Sequence, residues 1–313
     1  MSNCLFCYQP LAANEHDFHA ACSKKIFGQT TPPVLPYSEE DLEPLAREVI
    51  QRQTAVTGVQ AKLSLHITGS NKQGTERRFT IVGLWGGYIL KPPTAMYPQL
   101  PEVEDVTMHL AAVAKIKTAP HSLIRLQSGT LAYLTKRMDR LKKRKLAMED
   151  MCQLTERLTE DKYHGSYEQI GKVIQIYSAT PGLDVVNFFE LVLFSFLTGN
   201  ADMHLKNFSL LEHLEMGMTL SPAYDLINTA LVNPADEEEM ALTLNGKKKK
   251  FKKHDFVAAM NTLKLDEKQQ ENIFQKMVKA FPKWLELIDR SFMSDDFKEA
   301  YKIILKERMK RLQ

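Results

Sequence analysis

The sequence lacks the features that mark membrane, disulfide-rich or disordered proteins. No run reaches the roughly 18 apolar residues of a membrane span, and the most apolar window, residues 185–197, is interrupted by Asn187 and Glu190. Four cysteines in 313 residues are too few for a disulfide framework, and the first residues show no basic start followed by an apolar run. Charged residues make up 25% and hydrophobic residues 44%, which excludes a mainly disordered chain. We therefore expect a globular, cytoplasmic protein with no membrane partner.

A large excess of positive charge is also missing. Lys and Arg number 41 against 38 Asp and Glu, a formal charge of +3, which argues against a protein that coats nucleic acid and leaves only indirect contact with it. The one cationic run, residues 247–253, holds six Lys in seven positions. We interpret it as the solvated tip of a hairpin that follows a strand in MALTLNG, with phosphate contact as the open alternative.

The chain divides by pattern into three segments. Residues 1–30 form a Cys- and His-bearing segment, because three of the four Cys lie there. Residues 31–138 are β-rich, with short alternating runs in AKLSLHIT, RRFTIVG and GYILKPP, a helix over 101–114 and two further strands. Residues 139–313 are helical, with a buried helix over 183–199 that Asp184 is predicted to cap. The pattern predicts an α+β fold with a small β-rich lobe and a larger helical lobe.

The loop after that buried helix carries the most informative motif. In NADMHLKN, Asp202 and Asn207 lie five positions apart, and Asp225 follows in SPAYDLI. This set suits phosphoryl transfer, in which one Asp accepts the proton of an attacking hydroxyl while an Asn and a second Asp hold Mg²⁺. Each element alone is also compatible with an ordinary polar loop or turn.

Three upstream elements stand in the order found in kinases. A Gly-bearing turn in TGVQAK, residues 57–62, precedes the first strand and could present backbone N–H groups to phosphate. Lys91 closes the strand run GYILK, and Glu104 in the following helix could orient it, with Glu102 as competitor. The order, rather than any one element, favours a kinase.

These residues resemble the HipA-type serine/threonine kinases, which are toxins of bacterial toxin–antitoxin systems. The resemblance covers about residues 50 to 230, through TGVQAKLSL, YILK, LTKRMDR, EDMCQ, DMHLKNFSLL and PAYDLI. It implies a bilobal protein-kinase-like fold, with ATP and Mg²⁺ as cofactors.

The resemblance also implies roles for single residues. Asp202 would be the catalytic base, Asn207 and Asp225 would hold the metal, and Lys91 would contact the nucleotide phosphates. The remaining nucleotide-binding residues implied are Thr57, Gly58, Val59, Gln60, Ala61 and Lys62 in the Gly-bearing loop, Lys136, Arg137 and Met138 at the hinge, and His204, Lys206 and Tyr224 near the metal segments.

By the same resemblance the protein would be a toxin that phosphorylates an aminoacyl-tRNA synthetase and so inhibits translation. The kinase core begins near residue 45, as in the short HipT-like form, whose partners are a HipS-like small protein and a HipB-like DNA-binding antitoxin. Autophosphorylation would use Thr54, Thr57 or Ser64, and its absence is the open alternative. The alternatives are a small-molecule or lipid kinase of related fold and a nucleotide-binding pseudokinase module.

The Cys and His residues of the first segment leave two interpretations open. Cys4-x2-Cys7-x11-His19-x2-Cys22 is close to the spacing of a zinc site, and Cys₃His is a legitimate tetrahedral ligand set. The same side chains, near Phe18, could instead be small buried residues of the core.

Overall fold

The computed structural model describes residues 2–52, 61–69, 77–82, 85–141 and 144–312. The chain forms two compact units. The first unit consists of Met1–Asp105, Ala119–Met138 and Arg290–Phe292, and the second of Val106–Thr118, Asp139–Asp289 and Met293–Gln313. The predicted α+β class is confirmed, because the first unit is built on an antiparallel sheet and the second is mainly helical. The domain boundaries predicted after residues 30 and 138 stay a prediction.

Within the described residues, the sheet of the first unit has five antiparallel strands in the order β2-β1-β3-β5-β4. Alternation explains strand β1, where Leu63 and Leu65 are buried and Ser64 between them is only partly so. Lys91 ends β3 opposite Tyr133 of β5. The strands are β1 (Leu63–Thr68), β2 (Arg78–Ile81), β3 (Tyr88–Lys91), β4 (His121–Arg125) and β5 (Leu131–Lys136).

The N-terminal segment supplies part of the core beneath this sheet. Leu5, Phe18 and Ile26 are buried in one apolar cluster with residues of the strands. Helix α1 (Ala20–Phe27) ends at Gly28, whose φ of +76° is the left-handed conformation usual after a helix. Helix α2 (Glu39–Arg52) follows, with three acidic residues in its first turn.

The linker between these helices pairs with β2, the strand at one edge of the sheet. The Val34 N–H donates to the carbonyl of Arg77 at 3.0 Å, and the Phe79 N–H donates to the carbonyl of Val34 at 2.8 Å. A single linker residue thus satisfies part of an edge that would otherwise present unpaired backbone groups.

Helix α3 (Leu100–Val113) confirms the predicted helical pattern. Val103, Val106 and Leu110, spaced three and four apart, are fully buried. Its first residues belong to the first unit and the others to the second.

The second unit is organised around helix α6 (Pro181–Leu197), which is buried along most of its length. The prediction of Asp184 as its N-cap is wrong, because the helix begins at Pro181 with Thr180 as the cap residue. Proline has a fixed φ that suits the first helical position, so the helix starts earlier than the apolar pattern does. Asp184 instead accepts hydrogen bonds from the Ser178 hydroxyl at 2.5 Å and the Leu220 N–H at 2.8 Å.

The remaining elements of the second unit are short strands and amphipathic helices. No helix in the described ranges combines the length and the apolar character needed to cross a membrane. The elements are β6 (Arg140–Leu141), β7 (Arg144–Lys145), β8 (Met148–Asp150), α4 (Met151–Leu154), α5 (Tyr167–Tyr177), β9 (Ser209–His213), β10 (Gly217–Leu220), α7 (Thr229–Val232), α8 (Lys253–Thr262), α9 (Glu267–Arg290) and α10 (Asp295–Lys310).

The strand predicted in MALTLNG is wrong. Residues 240–244 form only isolated bridges, from Thr243 to Ser166 and from Leu244 to Lys247. Three of the lysines that follow are paired with acidic residues of the same unit, and Lys247 lies 2.7 Å from Asp255. Two further pairs join Lys248 to Glu238 at 3.1 Å and Lys249 to Glu237 at 3.2 Å.

Candidate functional site

The loop that carries Asp202 begins with a glycine that no other residue can replace without strain. Gly199 follows α6 with a φ of +77°, and a Cβ at this position would lie 2.4 Å from Oδ1 of the buried Asn228. The Gly199 carbonyl accepts hydrogen bonds from the Ala230 N–H at 3.0 Å and the Thr229 hydroxyl at 3.1 Å. The chain therefore leaves the helix in one defined direction.

Asp202 is held by its backbone while its carboxylate stays accessible. Its N–H donates to Oδ1 of the buried Asn200 at 3.1 Å, and its side chain is 46% exposed. The hydroxyl of Tyr163 donates to Oδ1 of Asp202 at 2.6 Å. Burial first, and then the neighbouring Asp202 charge, raise the pKa of Tyr163, so the phenol keeps its proton and remains a donor.

His204 lies beside this carboxylate as a buried, neutral ring. Its Nε2 is 4.0 Å from Oδ1 of Asp202, and the Tyr163 ring meets it edge-on with centroids 5.0 Å apart. Burial lowers the pKa of His204 below its ordinary value, while the charges of Asp202 and Asp225 act in the opposite direction. Both carboxylates therefore lie within electrostatic reach of one imidazole.

Asn207 is tied directly to the residue five positions earlier. It ends a short 3₁₀ helix (Leu205–Asn207), and its Nδ2 donates to the backbone carbonyl of Asp202 at 2.8 Å. This hydrogen bond uses the amide nitrogen and leaves the amide oxygen as the atom that can bind a hard cation. The predicted spacing thus corresponds to a closed turn that fixes Asp202 and Asn207 together.

Lys206, between them, forms an ion pair outside the loop. Its Nζ lies 2.7 Å from Oδ2 of Asp150. Asp150 also caps helix α4, since its Oδ1 accepts from the Gln153 N–H at 3.0 Å and the Gln153 side chain bonds back to the Asp150 N–H. The EDMCQ segment therefore positions a carboxylate for the lysine of the loop.

Asp225 is held near the same loop through its neighbour Tyr224. The Tyr224 hydroxyl donates to the Lys206 carbonyl at 2.8 Å and lies 2.5 Å from the Ser209 hydroxyl. Asp225 itself has a φ of +59°, a left-handed conformation that is uncommon outside glycine. An unusual backbone conformation of this kind is maintained only when surrounding contacts determine it.

In the first unit, Lys91 at the end of β3 is buried and forms the ion pair with Glu104 that the sequence analysis proposed. Nζ of Lys91 lies 2.6 Å from Oε1 of Glu104, and the side chains of Lys91 and Glu104 are 4% and 1% exposed. The Lys91 ammonium also lies 5.4 Å from the centroid of the Tyr133 ring. Glu104 is thus the residue that orients this lysine.

Asp105, the residue after Glu104, anchors the same turn of helix α3. Asp105 is fully buried and accepts a hydrogen bond from the Tyr8 hydroxyl at 2.6 Å, while Nδ1 of His121 lies 2.7 Å from its other oxygen. The N-terminal segment and strand β4 therefore fix the helix turn that carries Glu104.

The other predicted nucleotide-binding residues lie at the strand ends of the first unit. Lys136 ends β5, and the Arg137 N–H donates to the Gly87 carbonyl at 2.9 Å. Met138 is the last residue of the segment Ala119–Met138 of the first unit. Ala61 is buried and Lys62 is exposed just before β1. Thr54, Thr57, Gly58, Val59 and Gln60 lie outside the described residues.

Three features of the site were missed by the sequence analysis. Tyr163 lies 39 residues before Asp202, and no local pattern links them. Asp150 lies in EDMCQ, and no role was predicted for it, although its position three residues before a Gln is the signal of a capping box. Gly199 and Asn228 meet only in the folded chain, so neither could have been identified by spacing.

Comparisons with known proteins agree with the motifs. The family model of the HipA-like C-terminal domain matches residues 54–285. Two relatives of Sinorhizobium fredii (strain NBRC 101917 / NGR234), named "Putative kinase Y4dM" and "Putative kinase Y4mE", are 34% identical over 203 residues and 30% identical over 184 residues. These matches cover 61% and 56% of this chain but 48% and 42% of the relatives, so the chain spans about half the length of those proteins.

Two solved structures share the fold. The Shewanella oneidensis MR-1 HipA, in a toxin–antitoxin complex with HipB and operator DNA, aligns with a TM-score of 0.69 at 22% identity, covering 85% of this chain and 70% of that one. The Helicobacter pylori proinflammatory kinase CtkA aligns with a TM-score of 0.53 at 17% identity, covering 72% of this chain and 87% of that one. Because the family match extends over most of the sequence, the chain belongs to the family of HipA-like C-terminal domains.

Proposed function

We propose that this chain is an ATP-dependent protein kinase that transfers phosphate to a Ser or Thr hydroxyl. The observation that carries the proposal is the closed turn of the second unit, in which the Asn207 amide nitrogen donates to the backbone carbonyl of Asp202 at 2.8 Å while the Asp202 carboxylate stays accessible. A base and a metal ligand at fixed separation are what phosphoryl transfer requires. The similarity to proteins named as kinases adds support.

In this mechanism Asp202 receives the proton of the substrate hydroxyl. The hydroxyl oxygen forms a bond to the γ-phosphorus while the bond from that phosphorus to the β–γ bridging oxygen breaks, and ADP leaves with the electron pair. Tyr163 holds the carboxylate in position through its 2.6 Å hydrogen bond. His204, kept neutral by burial, adds no competing positive charge beside the base.

The side chains of Asn207, Asp225 and Lys91 fit the cofactors that such a kinase would use, Mg²⁺ and ATP. Mg²⁺ prefers oxygen ligands, and the Asn207 amide oxygen and the Asp225 carboxylate supply them. A bound magnesium ion would neutralise charge on the phosphates. We assign the phosphate contact of the first unit to Lys91, whose ammonium Glu104 holds in place. The loop of residues 57–62 and the hinge Lys136, Arg137 and Met138 complete the proposed nucleotide-binding set.

The biological role proposed is that of a toxin whose kinase activity stops growth. By resemblance the substrate is an aminoacyl-tRNA synthetase, and the partners are a HipS-like small protein and a HipB-like antitoxin. The structural neighbour from Shewanella is described as a complex of HipA, HipB and operator DNA, which supports a partner of the antitoxin kind. The paired lysines of residues 247–249 support no direct nucleic-acid contact of their own.

The decisive experiment is phosphate transfer from radiolabelled ATP into a cell extract. Labelled protein bands are expected with the natural chain and not with Asp202→Ala, and the size of the band reports the target. Asp295→Ala is the matched control, because the Asp295 side chain is fully exposed in the same unit. Label found only in small molecules, or equal label with Asp202→Ala, would overturn the proposal.

The metal assignment has a separate test. Asn207→Ala and Asp225→Asn each remove an oxygen ligand or its charge, so nucleotide affinity should depend less on Mg²⁺ in both variants. Titration of Mg²⁺ against the binding of a fluorescent ATP analogue measures this. An unchanged dependence in both variants would move the metal site elsewhere.

We further propose that the chain phosphorylates itself at Thr54 or Thr57. Ser64, the third candidate, lies inside strand β1, and its Oγ accepts the Gly86 N–H at 3.1 Å. Gly86 packs closely against that oxygen, since a Cβ there would approach it to 2.3 Å, so a phosphate on Ser64 would have to displace this contact. Mass spectrometry after incubation with Mg-ATP, with Asp202→Ala as control, should find phosphate on a threonine, and phosphate on Ser64 alone would contradict this assignment.

A further inference from the structure

Four metal-ligating side chains meet at the N-terminus of the first unit, apart from the residues assigned to phosphoryl transfer. The ligand atoms of Cys4, Cys7, His19 and Cys22 all lie within 4.8 Å of one another. Two come from a turn between residues 3 and 10, and two come from the start of helix α1. Residues 18 positions apart in the chain are therefore brought to one point.

The distances match those of a tetrahedral site. With zinc–sulfur bonds of about 2.3 Å and zinc–nitrogen bonds of about 2.05 Å, tetrahedral angles place neighbouring S and N ligands about 3.6 Å apart. Nδ1 of His19 lies 3.5 Å from Sγ of Cys7 and 3.7 Å from Sγ of Cys22. Both separations are those of two ligands on one ion.

The other nitrogen of His19 is committed in the way that metal-binding histidines usually show. Nε2 lies 3.0 Å from the Pro10 carbonyl, which has no proton to give, so the imidazole must donate there. The proton then resides on Nε2, and Nδ1 faces the sulfur atoms with its lone pair. A carbonyl partner of this kind fixes the tautomer and the orientation of a metal ligand.

The backbone around the first two cysteines is folded into a tight knuckle. The Tyr8 N–H donates to the Cys4 carbonyl at 2.9 Å, and the Cys4 N–H donates to the Gln9 carbonyl at 2.8 Å. Tyr8 has a φ of +60°, a left-handed conformation that is rare for an aromatic residue. The surrounding contacts thus hold the turn in the shape that brings Cys4 and Cys7 together.

The alternative interpretation, that these residues merely fill the core, accounts for only part of the arrangement. Burial of Cys4 and Cys22 is ordinary for cysteine. His19, however, retains a side chain 25% exposed, and Cys7 is only partly buried. Apolar packing gives no reason for an imidazole nitrogen to be directed at several thiols at ligand distances.

We propose that Cys4, Cys7, His19 and Cys22 bind one Zn²⁺ ion in a closed, structural site. Four protein ligands fill the tetrahedral shell, and that leaves no position for a substrate or a reactive water. The ion would join the knuckle to helix α1, and Ile26 and Phe27 of this helix, like Phe18 just before it, belong to the core of the first unit. The proposal does not depend on the proposed kinase activity.

The direct test is the metal content of the full chain, expressed with zinc in the medium and purified without chelator. Mass spectrometry of the metal is expected to find about one zinc and almost no iron per chain. Cys7→Ser and His19→Gln should each lower the zinc content at least severalfold. The matched controls are Cys152→Ser, the cysteine of the second unit, and His16→Gln, an exposed histidine of the same segment, and both should keep their zinc.

A second measurement covers the case in which a variant fails to fold. The natural chain is stripped with a chelator and refilled with Co²⁺, which should give the intense visible bands of tetrahedral cobalt with thiolate ligands. Chelation should also lower the midpoint of thermal unfolding, and added Zn²⁺ should restore it. Zinc well below one equivalent in the natural chain, iron in its place, or unchanged zinc in both Cys7→Ser and His19→Gln would each overturn the proposal.

Discussion

Replacing Gly199 by alanine is expected to destabilise the second unit far more than the same replacement at Gly246. Both glycines have a left-handed φ, +77° at Gly199 and +73° at Gly246, so the backbone strain of an alanine is the same at the two positions. That strain costs about 1–2 kcal/mol. The surroundings differ, because a Cβ at Gly246 meets nothing within 4 Å.

At Gly199 the added Cβ would overlap Oδ1 of Asn228 at 2.4 Å and its Cγ at 3.0 Å. Asn228 is fully buried, and its Oδ1 accepts the Leu231 N–H at 3.0 Å to cap helix α7. To relieve the overlap Asn228 must give up that cap, which costs about 1–2 kcal/mol. We therefore expect Gly199→Ala to lower the free energy of unfolding by about 3 kcal/mol and Gly246→Ala by about 1 kcal/mol.

Urea unfolding followed by circular dichroism measures both variants against the natural chain. In a double-mutant cycle, Gly199→Ala made in an Asn228→Ala background should cost about as little as Gly246→Ala, because the overlapping atoms are gone. Phosphate transfer should fall in Gly199→Ala as well, since the loop to Asp202 starts there. Equal losses of stability at Gly199 and Gly246 would refute the steric reasoning.

Three further outcomes are expected. Tyr163→Phe should lower turnover by about tenfold or less without changing the KM for ATP, because it removes one hydrogen bond to a partly exposed carboxylate; an unchanged turnover speaks against a positioning role. Burial lowers the pKa of His204 in the folded chain, so as the pH falls the unfolded chain takes up a proton on this imidazole at a higher pH than the folded chain does. The free energy of unfolding should therefore fall as the pH drops below about 6.5. His204→Gln should lose that part of the pH dependence, and parallel curves for the two proteins would contradict it. Lys91→Met and Glu104→Gln should together cost less stability than the sum of the single changes, since the pair is buried and in contact, and strict additivity would count against the pairing.

The elements that local patterns determine could be predicted from the sequence. The strands of the first unit follow from period-two alternation, and α3 follows from apolar residues three and four apart. The proximity of Asp202 and Asn207 could be expected because both lie within one loop. Glu104 could be proposed in advance as the partner of Lys91, since α3 is the next element along the chain after β3.

Contacts between distant segments could not be predicted in the same way. The bond from Tyr163 to Asp202 joins positions 39 apart, and no periodicity encodes it. MALTLNG has the alternation of a strand, but a strand also needs a neighbour along its length, and Thr243 finds only a single bridge to Ser166. The N-cap of α6 was misplaced because hydrophobicity marks the buried part of a helix rather than its first residue.

The linker residue on β2 bears on what the edge of this sheet can pair with. An exposed edge strand is a template on which another chain can add a strand and begin to aggregate. Val34 occupies part of that template, and Pro33, which directly precedes it, has no N–H with which to extend the ladder to a further molecule. A chain shortened to begin at α2 would lose Val34 and leave the Arg77 carbonyl and the Phe79 N–H available to pair with another molecule, so it should aggregate.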